Sequence, residues 1–148
     1  MAEALPITTF LTQLNGGSPA NWNPSNVVKP AFVEVNGTNE PFRIDLNVGD
    51  QVVGRAGSPA LEETPIGNWK YGNRTYSIEL ELYTRSGRQR LYDLMGEVRR
   101  ICHSRMHSLT GFQRQEFMDF EEETQEHANV WMGTVNIQLV NNAILLET

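Results

Sequence analysis

The strongest structural signal in the sequence is a strict alternation of apolar and polar residues from position 76 to position 82. The apolar residues are Tyr76, Ile78, Leu80 and Leu82, and the polar residues between them are Ser77, Glu79 and Glu81. A period of two predicts a β-strand with one buried face and one face in water. The chain must therefore supply a second layer that covers the apolar face of this strand.

A helical pattern follows this strand, after a break at Ser86-Gly87. Between positions 89 and 102 the apolar residues recur at spacings of three and four, as Leu91, Leu94, Met95, Val98, Ile101 and Cys102. This spacing places them on one face of a helix, and charged residues occupy the opposite face. The sequence therefore predicts a long helix that packs on the sheet.

Two further strands are predicted after the helix. Residues 112–123 are expected to place Met118, Phe120 and Glu122 on one side, with Phe117 and Asp119 on the other. Residues 129–140 give the clearest alternation, with the apolar positions Trp131, Val135, Ile137 and Leu139. A turn at residues 126–129 would join the two strands into an antiparallel hairpin.

The first half of the chain is rich in turn-forming residues and poor in periodicity. Residues 15–26 and 57–72 are expected to form loops, with short strands at 31–35, 42–46 and 51–55 and either a short helix or an arm at 7–14. Residues 141–148 form a tail with an apolar run, expected to dock on the domain or on a neighbour's sheet edge.

The predicted fold class is α+β: an antiparallel sheet with one long helix packed on a face, and long N-terminal loops or an arm. The whole chain, 1–148, is expected to form a single domain. Its parts are a loop-rich region with short strands at 1–74, a strand–helix–hairpin core at 75–140 and a C-terminal tail at 141–148.

Composition excludes several classes of protein. The 148 residues carry a formal net charge of −6, which argues against a basic-patch nucleic-acid-binding protein. A single cysteine excludes an intrachain disulfide, and no stretch approaches the roughly 18–20 apolar residues of a membrane span. Residues 1–14 lack a signal-peptide pattern. We expect a soluble protein that is made in a reducing host cytoplasm and has no membrane partner.

No catalytic or cofactor motif is present in the sequence. The patterns GxSxG, GxGxxG and the P-loop are missing. Cys102 lies on the apolar face of the predicted helix and is expected to be a buried structural residue. His103 and His107 are four residues apart, but the glutamate of the HExxH motif is absent. The sequence predicts a protein that is not an enzyme and binds neither a metal nor a cofactor.

Charged residues are concentrated in two adjacent blocks. Residues 85–114 have a net charge of +5, and residues 116–126 have a net charge of −6. The blocks are either two solvated faces or two sides of a head-to-tail subunit interface. A third alternative places the acidic block along a channel, where it would repel DNA phosphates. The interface residues are predicted to be Arg85, Arg88, Arg99, Arg100, Arg105, Glu121, Glu122, Glu123 and the two loop tryptophans Trp22 and Trp69.

Two segments of the chain resemble the tail-terminator proteins of long-tailed bacteriophages. One is the strand at 76–83, YSIELELY, followed by the helix at 89–102. The other is the strand at 130–139, VWMGTVNIQL, with Trp131 shortly before the alternation. The resemblance covers roughly the C-terminal half of the chain, and neck and tail-completion proteins are of similar size.

The resemblance implies a virion protein that forms a ring of six subunits at the head-proximal end of the tail tube. The ring would cap tube polymerisation and join the tail to the head connector. Its partners would be further copies of itself, the tail tube protein and the head connector, and DNA would pass through the lumen without specific binding. Two alternatives remain open: another neck, head-completion or tail tube protein, and a nucleic-acid-binding module that uses the Arg-rich helix.

Overall fold

The computed structural model describes residues 5–35, 49–67, 70–125 and 129–146. Within these residues the chain forms two helices and five strands. In chain order they are α1 (Pro6–Asn15), β1 (Ala31–Glu34), β2 (Gln51–Ile66), β3 (Tyr71–Thr84), α2 (Arg88–Ser104), β4 (Arg114–Glu122) and β5 (Trp131–Leu145). The strand predicted at 42–46 lies outside the described residues.

The five strands form one mixed sheet in the order β1-β2-β3-β5-β4. β1 runs parallel to β2, and the other neighbouring strands are antiparallel. The prediction of an antiparallel sheet is therefore wrong at its β1 edge. A parallel pair needs a crossover connection of a dozen or more residues, and residues 35–50 between β1 and β2 provide that length.

The helical layer consists of two separate helices, so the predicted single long helix on the sheet is also wrong. α1 has 10 residues and begins with a proline, a residue favoured in the first turn of a helix. α2 has 17 residues. α1 packs closely on the sheet at Gly54, where an added Cβ would lie 2.9 Å from the Cδ1 atom of Leu11. Both helices contribute to one buried cluster, which includes Phe10, Leu14, Leu80, Leu91, Leu94, Val98, Val135 and Ile137.

Most of the predicted loop at 57–72 is a strand, because β2 continues to Ile66 and β3 already begins at Tyr71. Pairing between β1 and β2 ends at the register Glu34↔Gly54, and no other described strand pairs with the rest of β2 on that side. Pro59 and Pro65 are compatible with an edge strand, where an N–H group is not needed for pairing. Every residue from 58 to 64 is exposed, which explains why the sequence shows no periodicity there.

The predicted C-terminal tail is largely part of β5, which pairs with β3 as far as Leu145, opposite Tyr71. Residues 57–66, 71–75 and 141–145 thus form a three-stranded extension of the sheet, here called the β-arm. Within the described residues, the buried apolar side chains of β2 and β3 lie outside the β-arm, at Val52, Val53 and from Tyr76 onward.

β4 differs from its predicted pattern because of a bulge. The register with β5 shifts between Phe117 and Asp119, so Met118 is the extra residue. Phe117 and Phe120 consequently both pack against the core, and Met118 is 48% exposed. The prediction that Met118 and Phe120 share a side is wrong, since a bulge reverses the alternation for all residues that follow it.

Candidate subunit interface

The face of the sheet opposite the helices, here called the open face, is polar and has no described helix packed on it. The core-facing residues of β3 and β5 alternate with partly exposed polar residues. On the central strands these are Thr75, Ser77, Glu79, Glu81, Thr134, Asn136 and Gln138. An antiparallel region of a sheet can keep one face in water. Val53, which pairs with Glu81, and Tyr83 lie on the same face and are buried.

The open face is held by local polar contacts and has an excess of carboxylates. Arg55 forms an ion pair with Glu81, and the Tyr83 hydroxyl donates a hydrogen bond of 2.5 Å to the same carboxylate. Burial, together with the bond to Glu81, raises the pKa of Tyr83 far above its ordinary value. The Asn136 amide donates to the Asp119 carboxylate at 2.6 Å. With Glu79 nearby on β3, this region of the sheet attracts positive groups.

A shallow depression of about 300 Å³ lies on the open face, across β2, β3, β5 and β4. Small and polar residues line it, among them Ser77 and Gln138, together with the acidic residues Glu79 and Asp119. Met118, which the bulge brings to this position and which is 48% exposed, lines it as well. The lining of the depression therefore combines one large apolar residue with two acidic residues.

The end of the β-arm exposes large apolar side chains. Ile66 is 48% exposed and Tyr71 is 50% exposed, and the register places them directly opposite each other. Leu145 lies opposite Tyr71 on the other side, so the three side chains form a row across the strands. Leu61, nearer the core, is 41% exposed. A group of exposed apolar residues on a projecting element is typical of a protein–protein contact.

Arg88 and Glu122, both predicted at the interface, are paired within the chain. The Arg88 guanidinium donates two hydrogen bonds to the Glu122 carboxylate, at 2.8 and 2.9 Å, and the Tyr92 hydroxyl donates a third at 2.8 Å. The bonds from Arg88 and Tyr92 hold the pKa of Glu122 below its ordinary value, and the pKa of Arg88 is raised by the same partner. This pair joins α2 to β4 of the same subunit.

Arg100 is also occupied within the chain. Its guanidinium donates to the Glu97 carboxylate at 2.5 and 3.1 Å and to the Asn21 carbonyl at 2.6 Å. Glu97 is 3% exposed and also accepts the backbone N–H of Asn23 at 2.6 Å. Burial by itself raises the pKa of Glu97, but the hydrogen bonds from Arg100, Asn23 and Asn26 outweigh it, so the pKa is lowered. Arg100 and Glu97 therefore fasten the loop after α1 to α2.

The remaining charged residues of the predicted interface lie at or near the surface. Arg105 donates to the Gln13 side chain at 3.2 Å and to the Ser108 carbonyl at 3.4 Å. Arg85 and Glu121 are exposed, as is Glu123, which accepts a hydrogen bond from Thr134 at 3.3 Å. Arg99 is exposed on α2, and within the described part of the chain no hydrogen bond or ion pair is recorded for it.

Of the two tryptophans predicted at the interface, the structure describes only Trp22. Trp22 is 1% exposed, donates its indole N–H to the Val27 carbonyl at 3.1 Å and packs edge-on against Phe32. Its side chain is therefore inside the fold and not at the subunit surface. Trp69 lies outside the described residues.

The interface inferred from the charge blocks stays a prediction, now carried mainly by Arg99 and Glu121. The structure adds one geometric consideration. α2 packs on β4 in the same subunit, and Glu122 of the acidic block pairs there with Arg88. Asp119 of the same block lies on the open face, on the other side of the sheet from α2. A head-to-tail contact joins two different surface regions of this kind.

The candidate reactive residues Cys102, His103 and His107 lie on α2 or just after its end. No group of three or more His, Cys, Asp or Glu residues among them could hold a metal ion. Cys102 is fully buried, as predicted, and burial raises the pKa of its thiol to about 12. α2 ends at Ser104, so His107 does not share a helix face with His103. Within the same residues, no helix has the length and apolar character to cross a membrane.

Sequence reasoning missed Met118, Ile66 and Tyr71 as surface residues of interest. Met118 was assigned to a regular strand, and the other two lay in a predicted loop. For Ile66 and Tyr71 the sequence offered one signal, which is the presence of large apolar residues within a segment rich in glycine and proline. Comparisons with protein-family models and with curated proteins give no match for this chain. The functional conclusion therefore depends on the geometry of these surfaces and on the resemblance described above.

Proposed function

We propose that this chain is a structural subunit of a phage tail, a ring protein of the tail-terminator type. The observation that carries the proposal is the β-arm, whose end exposes Ile66 and Tyr71 outside the buried core. An element of this kind gains apolar burial only when it contacts another protein.

The free edge of the β-arm favours a limited assembly over an open-ended one. An exposed edge strand is a template for uncontrolled pairing with other chains. Here Pro59 and Pro65 each remove an N–H donor, and the register with β3 shifts between Ala56 and Leu61. These features oppose extension of the sheet by strand addition. The β-arm can still contact another subunit through its side chains. A contact of this kind is compatible with a ring that has a fixed number of subunits.

The proposed mechanism is geometric. Six copies form a ring at the head-proximal end of the tail tube, one surface of the ring matches the tube end, and the other surface cannot accept more tube subunits. The second surface binds the head connector. DNA passes through the lumen without specific binding, and the acidic residues of the open face would repel its phosphates if they line that lumen. The protein would then be located in the virion, at the junction of tail and neck.

The alternative of a nucleic-acid-binding module is less well supported by the same contacts. Arg88 and Arg100 are already bonded to carboxylates of their own chain. Phosphate binding through α2 would have to compete with these charge-assisted hydrogen bonds. Other neck or head-completion proteins remain a closer alternative, since they would use the same kind of surface with different partners.

The test is deletion of the coding sequence from the phage that carries it, followed by electron microscopy of the particles. We expect tails of uncontrolled length that are not joined to heads, and we expect normal tails when the wild-type chain is supplied in trans. Tails of normal length that remain unattached would instead support a neck or head-completion role. Normal, infectious particles without the protein would rule out the proposal.

A further inference from the structure

We infer that a cleft beside α1 binds a phosphate group through Arg105. The cleft has a volume of about 380 Å³ and is lined by residues of α1, by the turn that follows α1 and by residues between 105 and 110, which follow α2. It shares no lining residue with the depression on the open face. The inference goes beyond the proposed function and does not depend on it.

Arg105 carries the charge of the cleft. Among the described residues it is the only charged one in the lining, and it is partly buried. Its Nε group donates to the side-chain oxygen of Gln13 at 3.2 Å and its Nη2 group donates to the Ser108 carbonyl at 3.4 Å, so neither acceptor is a carboxylate. Arg88 and Arg100, in contrast, each pair with a carboxylate of the chain. A charge that is partly removed from water is stabilised by an opposite charge, which an anionic ligand would supply.

The guanidinium of Arg105 is held in place by the buried amide pair. The Gln13 oxygen that accepts from Arg105 also accepts from the Gln115 amide at 2.8 Å, and the same amide donates to the Arg105 carbonyl at 2.5 Å. A guanidinium has five N–H donors, so the bonds to Gln13 and Ser108 leave further donors for a ligand. Its planar fork matches the spacing of two phosphate oxygens. A fixed guanidinium with remaining donors is therefore suited to a two-point contact with phosphate.

Several hydroxyl groups line the same cleft. Thr9 and Thr12 contribute theirs from α1, and Ser108 and Thr110 contribute theirs from the segment after α2. Within the part of the chain that the structure describes, no hydrogen bond is recorded for these hydroxyls. Each can donate to a ligand oxygen, because a hydroxyl group is both a donor and an acceptor. The described lining includes no acidic residue that would repel an anion.

The ends of both helices lie close to the cleft, since α1 ends at Asn15 and α2 ends at Ser104. The C-terminal end of a helix carries partial negative charge, which opposes an anion. At α1 this charge is offset by donors of the chain. The Lys29 ammonium donates to the Asn15 carbonyl at 3.0 Å, and the Asn21 amide donates to the Gln13 carbonyl at 2.8 Å. Lys29 thereby adds a second positive charge near the cleft.

A phosphate group fits these donors better than a carboxylate does. It carries roughly 1.5–2 negative charges at pH 7 and offers three strong acceptor oxygens, whereas a carboxylate has two oxygens. The volume of the cleft is within the range of small-molecule sites, so it also accommodates a small organic group attached to phosphate. Inorganic phosphate and a small phosphomonoester are therefore the two candidate ligands. Duplex DNA is disfavoured, because the chain has a net charge of −6 and the described lining offers a single cation.

The first experiment is equilibrium dialysis of the full chain against radiolabelled inorganic phosphate at constant ionic strength. We expect saturable binding that approaches one phosphate per chain. Unlabelled glycerol 3-phosphate should displace the label, and acetate at the same concentration should not. Displacement by glycerol 3-phosphate at a lower concentration than by unlabelled phosphate would identify the phosphomonoester as the better ligand, and the reverse order would identify free phosphate.

The second experiment repeats the dialysis with variants of Arg105. Arg105→Gln should weaken phosphate binding by about tenfold or more, because hydrogen bonds from a charged donor are lost. Arg105→Lys keeps the charge without the planar fork and should have an intermediate effect. The matched control is Arg99→Gln, which removes the same charge from an exposed position of α2 outside the cleft and should leave binding unchanged.

A pair of threonine variants tests the cleft without any change of charge, and it serves even if Arg105→Gln does not fold. Thr12 is exposed, and Thr12→Val should weaken phosphate binding by about threefold through the loss of one neutral hydrogen bond. Thr8→Val is the control. Thr8 lines the same cleft, but its hydroxyl already donates to the Glu34 carboxylate at 2.7 Å, so this change should leave binding unaltered.

Several results of these dialysis experiments would overturn the inference. They are the absence of saturable phosphate binding, equal losses in Arg105→Gln and Arg99→Gln, and equal effects of Thr12→Val and Thr8→Val. Displacement of the label by acetate would show a site for carboxylates instead. Displacement by duplex DNA at the same phosphate concentration would assign the residues to nucleic-acid binding instead.

Discussion

Arg88 and Glu122 form a two-point ion pair that joins the first turn of α2 to the last residue of β4, with distances of 2.8 and 2.9 Å. The two residues belong to opposite charge blocks of the sequence, and the fold brings the blocks together within one subunit. These two charges of the blocks are therefore already paired within one subunit, and a contact between subunits would have to use other residues of the blocks.

The Glu122 carboxylate should make stability dependent on pH in the acid range. Its pKa is lowered in the folded protein by hydrogen bonds from Arg88 and Tyr92. Its contribution is therefore present above the ordinary glutamate pKa and is lost as the pH falls through the lowered value of the folded state. Glu122→Gln should reduce the free energy of unfolding at pH 7, and the reduction should shrink as the pH falls below the ordinary glutamate pKa, as measured by urea denaturation. Glu121→Gln, an exposed neighbour, is the control and should have little effect at either pH.

Removal of the Glu97 carboxylate should loosen the loop that carries Trp22. Glu97→Ala leaves the backbone N–H of Asn23 and the Arg100 guanidinium without their acceptor, and a loss of this kind costs roughly 1–3 kcal/mol. The measurements are chemical denaturation and the fluorescence change associated with Trp22. Asp93→Ala on the outer side of α2 is the control, and we expect a change within about 0.5 kcal/mol. Equal effects of the two variants would contradict the role given to Glu97.

A buried pair of amides connects α1 to β4. Gln13 and Gln115 exchange two hydrogen bonds of 2.8 Å, and Gln115 also donates to the Arg105 carbonyl. Gln115→Leu should lower the free energy of unfolding by roughly 1–3 kcal/mol, because it leaves buried polar atoms of the partner unsatisfied. The double variant with Gln13→Leu should lose less than the sum of the two single changes, a coupling that a double-mutant cycle measures. Additive losses would mean that the two amides act independently.

Arg99→Glu tests the subunit interface inferred from the charge blocks. Arg99 is exposed on α2, in the helical layer of the fold. If this interface holds the ring together, self-association in light scattering should weaken, with a larger effect at low ionic strength. Unchanged association would rule out a contribution of Arg99 to the subunit contact. Arg100→Glu is unsuitable for this purpose, because it also breaks the internal pair with Glu97.

The sequence by itself determined the elements whose periodicity reflects burial on one side. Tyr76 to Leu82 alternate because one face of β3 meets the helices and the other meets water, and the spacing of Leu91, Leu94 and Val98 identifies the buried face of α2. Cys102 was correctly placed in the core on the same grounds. For residues 7–14 the sequence left a short helix and an arm as equal alternatives, and the structure has the helix α1 there.

Only the tertiary structure decided the features that depend on pairing between distant segments. The parallel placement of β1, the bulge at Met118 and the β-arm leave no periodic signal, because the residues concerned are exposed on both faces or shifted by one position. The partners of Arg88 and Arg100 were likewise fixed by packing, which brings Glu122 and Glu97 within hydrogen-bond distance. Local sequence reports which residues avoid water, whereas the positions of strands and charges are set by contacts between residues far apart in the chain.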